Sequence, residues 1–93
     1  METTTMPSFE LGYLEGYVAI TFDKGEADAV NIYRRIEGGD WQFLATDTFS
    51  PYVDTEPVMR SGLPEDRDYK LVPVVSGAEA GAESEVKTIL LGG

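Results

Sequence analysis

Apolar and polar residues alternate along most of this chain with the two-residue period of half-buried strands. Tyr17-Val18-Ala19-Ile20-Thr21-Phe22 puts Val18, Ile20 and Phe22 on one face. Phe9-Glu10-Leu11, ended near Gly12, and Trp41-Gln42-Phe43-Leu44-Ala45 are runs of the same kind, and Tyr52 to Thr55 is a shorter one. Tyr69 to Val75 is the longest and most apolar, with Tyr69, Leu71 and Pro73 expected on its inner face. Pro73 has no amide to donate, so this strand should be bulged or half-unpaired there. Glu85 to Leu90 supplies the last run. Between the runs lie turn signals at Asp23-Lys24-Gly25-Glu26, Gly38-Gly39-Asp40 and Phe49-Ser50-Pro51. A polar connection spans Glu56 to Arg67, and a small-residue loop spans Gly77 to Glu83.

Ala27 to Ile36 reads in two ways. As a helix, Ala27, Val30, Tyr33 and Ile36 form an i, i+3 stripe with Gly38 as its cap. As a strand, Val30 and Ile32 face the core and Tyr33 ends near the opposite face. The segment lies between one β run and a Gly-rich turn into Trp41, which favours a strand and a hairpin. The result is seven short strands at fairly regular spacing, an all-β sandwich. One domain over residues 9–91 accounts for the chain, after a Thr-rich tail (1–8) and before a flexible Gly92-Gly93.

The second half carries a finer signature. Leu63 in a turn, followed by Tyr69 opening a strand, has the spacing of a tyrosine corner, the Tyr ring in the core and its hydroxyl bonded to the turn backbone. With Tyr52-Val53-Asp54-Thr55 before it and the loop to Val86 after it, this region resembles the last three strands of a fibronectin type III domain of the bacterial kind. The resemblance covers roughly residues 9–90, specific in the second half and loose in the first, where Phe22 stands at a place often held by Trp. It implies a seven-stranded immunoglobulin-like sandwich in which Asp54 and Thr55 cap the following turn. The Arg-Gly-Asp loop with which some such domains bind integrins is absent, so that function is not implied.

Composition narrows the chemistry. With 93 residues the chain has enough surface to bury one thin core and no deep cavity. The net charge of −10, with only seven basic residues, argues against nucleic acid and against anionic membranes. The longest apolar run is far too short to span a bilayer. There is neither Cys nor His, so thiolate chemistry and the commonest general base and metal ligand are missing. The N-terminus lacks the basic start and apolar segment of a signal peptide, which makes the cytoplasm the default location if the chain is native and full-length.

Asp23, Glu26 and Asp28 share one loop, but their spacing matches no EF-hand, and a solvated acidic loop is the expectation. Lys24, Lys70 and Lys87 are expected to face water, leaving no base for a Ser or Thr nucleophile. The reading is therefore of a non-catalytic module without cofactor or metal. Its role is to bind a protein, with a polysaccharide as the other partner class, or to act as a spacer. Trp41 is expected to close the edge of the core over its hairpin. Exposed beside Tyr33, it would instead form a contact patch of Tyr33, Trp41 and Phe43 with Arg35 at the rim. A rival reading starts from the terminal Gly92-Gly93: a ubiquitin-like modifier or sulfur carrier, for which Ala27 to Gly38 would supply the single helix of a β-grasp fold.

Overall fold

The computed structural model describes residues 7–56, 65–80 and 83–91, and in these the alternation of the sequence becomes eight strands and no helix. Strands β1 (Ser8–Leu14), β2 (Tyr17–Asp23) and β5 (Tyr52–Val53) form one antiparallel sheet in the order β1-β2-β5. The second sheet has the order β4-β3-β6 from β4 (Gln42–Asp47), β3 (Ala29–Ile36) and β6 (Glu65–Val75). Two further strands, β7 (Ala78–Glu79) and β8 (Lys87–Leu91), pair with opposite ends of β6 along its remaining edge. The inner faces meet in a sandwich-like arrangement. Phe9, Val18, Ile20 and Phe22 of the first sheet pack with Val30, Ile32, Tyr69 and Leu71 of the second, and Leu11, Leu44, Tyr52 and Ile89 close the margins. Burying each aliphatic side chain contributes about 1.5–3 kcal/mol, so this one layer carries most of the stability.

The ambiguous segment is a strand, because only alternation buries Val30 and Ile32 completely while pairing both edges of β3. Turns set the strand lengths. Glu15 and Gly16 both have positive φ (51° and 90°), the two-residue hairpin turn whose twist matches the flanking strands. The first strand therefore runs through Gly12 to Leu14 instead of ending at Gly12. The same X-Gly geometry recurs at Glu37-Gly38 and Ser76-Gly77. The latter folds β7 back onto Val74 and Val75, where a loop is expected from the sequence. Pro7 is buried and Ser8 opens β1, one residue before the expected first strand at Phe9, and the last strand begins at Lys87 rather than Glu85. Leu63, expected in the tyrosine corner, and Gly92-Gly93 lie outside the described residues.

Pro73 sits fully buried in β6, at a place where its lost amide costs little. Its carbonyl accepts from the Ala80 amide (2.9 Å), so its ring nitrogen points to that same edge, just past the end of β7. Two residues earlier, the Leu71 amide on that edge donates to Ser84 Oγ (2.8 Å). The ladder to β3 runs on the other edge and is uninterrupted from Ala29 to Ile36.

Candidate functional site

The outer face of the β4-β3-β6 sheet collects the four residues singled out from the sequence. Alternation turns Asn31, Tyr33 and Arg35 outward from β3, since Val30, Ile32 and Arg34 are turned inward. Register places Phe43 of β4 and Lys70 of β6 on either side of Tyr33, and Asp68 beside Arg35. A bulge decides what β4 shows. Ile32 pairs with Ala45 but Tyr33 with Phe43, leaving Leu44 as an extra residue. Leu44 packs against the core, while Phe43 and Thr46, three apart in sequence, both stand opposite outward residues of β3.

The face is held by contacts among its own side chains. The Tyr33 and Phe43 rings meet edge to face with centroids 5.7 Å apart. Arg35 lies with its guanidinium carbon 4.6 Å from the Trp41 ring centroid, and Lys70 Nζ is 4.7 Å from the same ring and 5.4 Å from that of Tyr33. Arg35 Nε donates to Asp68 Oδ2 (2.6 Å), and Lys70 Nζ pairs with Glu83 (3.4 Å). The Tyr33 hydroxyl and Asn31 Nδ2 both donate to Glu79 Oε2, and Thr46 Oγ1 donates to Asn31. Glu79 is held below the usual carboxylate range by those two donors, and its carboxylate in turn raises the Tyr33 hydroxyl. Asp68 is lowered chiefly by the hydrogen bond from Thr88, with Arg35 adding to it.

Trp41 is half-buried on this face and does not belong to the core cluster, so it does not close the core as expected. Phe43 is 56% exposed. Lys70, expected in water, has a side chain only 15% exposed because the two aromatic rings cover its stem and ammonium. Lys24 donates to the Ala27 carbonyl, and Lys87 pairs with Glu10 and Glu85. Asp23 and Asp28 accept from the amides of Gly25 and Ser76 (each 2.9 Å), and no group of three acidic residues among those described is placed to hold a metal ion.

A second constellation escaped the sequence reading. Arg34 continues the inward face of Val30 and Ile32 and is 8% exposed. Its Nη1 donates to both oxygens of Asp54 (2.7 and 2.9 Å), and its Nη2 to Gln42 (3.1 Å). The Tyr69 hydroxyl, expected on turn backbone, donates to Asp54 Oδ2 (2.6 Å). Arg67 Nη1 lies 3.7 Å from that oxygen and donates to the Glu56 carbonyl (3.0 Å). Asp54 also accepts the Glu56 amide (3.0 Å), the turn-capping bond assigned to it from sequence. Asp54, Arg67 and Tyr69 are fully buried, which drives the Tyr69 hydroxyl upward first by desolvation and then by the Asp54 carboxylate. The signal for this cluster was present in the alternation: Arg34 and Arg67 each lie two residues from an inward apolar side chain on the same strand.

The outer face is a platform of rings and paired charges, and the buried cluster is a clamp joining the end of β5 to β3 and β6. Comparison of the chain with family models, curated proteins and solved structures finds no match.

Proposed function

We propose that this chain is a non-catalytic binding module of fibronectin type III-like topology, which engages a protein partner through the outer face of β4-β3-β6. The topology reading is supported by the sheet orders β1-β2-β5 and β4-β3-β6. Taken as one interrupted strand on the free edge of β6, β7 and β8 bring the count to seven positions. The binding reading rests on Phe43, an aromatic ring left 56% exposed on an edge strand, beside Tyr33 and next to Trp41. Exposed aromatics on a rigid strand lose little side-chain entropy on binding, and the ion pairs around them form a polar rim. The β4 edge adds backbone groups that an extended partner segment can pair with.

The test is site-specific photocrosslinking in the native host, with benzoylphenylalanine in place of Phe43 and, as control, in place of Glu10 on the other sheet. One protein adduct formed at position 43 and missing at position 10 supports the reading. Equal or absent labelling would leave a spacer role and end the binding one. Trp41 is the only tryptophan, so its emission reports this face directly. A response to soluble polysaccharide would change the partner class from protein to sugar.

A further inference from the structure

We infer that the outer face of the β1-β2-β5 sheet is a second docking surface, built for a cationic peptide segment that carries an aliphatic side chain between its basic ones. The face is divided along the strands. At one end, register brings together Leu14 with Tyr17 and Gly12 with Ala19 and Val53. Leu14 and Tyr17 are 46% and 38% exposed. A side chain at Gly12 would meet nothing within 4 Å, so the strip is open above it. A cleft of ≈ 250 Å³ lined by Tyr17, Val53, Asp54 and Thr55 continues the strip beside β5. At the other end stand Glu10 and Asp23, both exposed, and Glu15 projects from the hairpin tip.

Charge selects the occupant. None of the residues of β1, β2 or β5 is Lys or Arg, and the chain as a whole carries −10. Among the described residues the strip is bordered by Glu15 and Asp23, with Glu10 at the far end paired to Lys87 of β8 (3.2 Å). The uncompensated charge beside it is therefore negative and favours a cation, and the strip desolvates best under an aliphatic group. A second copy of this chain would bring the same carboxylates against their own kind. Nucleic acid and anionic lipid carry the wrong sign. The surface is separate from the Phe43 face, so the two readings stand or fall independently.

The experiment is a titration of the isotope-labelled full chain with the peptide acetyl-Lys-Leu-Lys-Val-Lys-Leu-Lys-amide, followed by amide chemical shifts. Its counterpart with Glu in place of every Lys is the control. Shifts should concentrate at Gly12, Leu14, Tyr17, Ala19 and Val53, and affinity should fall as NaCl rises from about 0.05 to about 0.5 M. The double variant Leu14→Ser with Tyr17→Ser alters exposed positions, and with its melting temperature checked it should weaken binding about tenfold or more. Glu15→Gln with Asp23→Asn should weaken it roughly three- to tenfold. Absence of binding, equal binding of the Glu peptide, shifts centred on Tyr33 and Phe43 or scattered over all carboxylates, or a double variant that binds like the parent would each overturn the inference.

Discussion

Asp54 is the residue on which most of the polar interior depends. It accepts from Arg34, Tyr69 and the Glu56 amide, and Arg67 lies alongside; Asp54, Arg67 and Tyr69 are fully buried and Arg34 nearly so. Removing one partner of a buried ionic group leaves the others desolvated without compensation, at a cost of about 3–5 kcal/mol. Asp54→Ala is therefore expected to lower the urea midpoint by that equivalent or to prevent folding. Tyr69→Phe keeps the ring in the core and removes one hydrogen bond to a charged group, about 1.5–3 kcal/mol at neutral pH. The same residue governs the alkaline limb. Its folded-state value lies above its unfolded one, so its contribution is complete below about pH 10 and is lost as pH rises through the folded value. Tyr33 acts in the same direction through Glu79. Chemical denaturation between pH 9 and pH 12 should show a shallower loss of stability for Tyr69→Phe than for the parent chain. Reading the sequence placed Tyr69 in the core but not its partner, because the donor and acceptor come from strands that the local pattern does not relate.

At the scale of elements, the strands were legible because alternation is a local property. Val18, Ile20 and Phe22 on β2, and Tyr69, Leu71 and Pro73 on β6, are buried as their spacing requires. The boundaries were less legible, since they depend on backbone angles at the turns. Gly16 shows this: open space surrounds it, yet its φ of 90° excludes a side chain without strain. Gly16→Ala should cost about 1 kcal/mol, read as a lower thermal midpoint with unchanged spectra of the folded state. The bulge at Leu44 has no sequence signal of its own. Regular alternation from Phe43 would place Ala45 outward. Pairing with β3 instead turns Ala45 toward Ile32 and brings Thr46 out against Asn31.

The whole molecule separates a structural face from an exposed one. Ile32 is fully buried between the sheets, and Ile32→Ala should cost about 2–5 kcal/mol. Trp41 lies outside that layer, over Arg35 and Lys70, so Trp41→Ala should cost about 1 kcal/mol or less, a few degrees in melting temperature. A Trp41 variant that unfolds like the Ile32 variant would place the ring in the core and remove the aromatic platform. The β-grasp alternative lacks its helix, because Ala29 to Ile36 is the central strand of the second sheet.

Alternation, turn residues and charge were enough to determine that the chain forms short strands with one apolar face. They also placed Tyr33, Arg35, Trp41 and Phe43 near one another, because these residues lie on two strands joined by one hairpin. Tertiary structure alone decided which strands share a sheet and in what register. It also brought Lys70 and Glu79 onto the aromatic face, and Arg34, Arg67 and Tyr69 onto Asp54. The physical reason is range: side-chain direction follows from neighbours two residues away, whereas charge pairing inside the core is set by the register of strands distant in sequence.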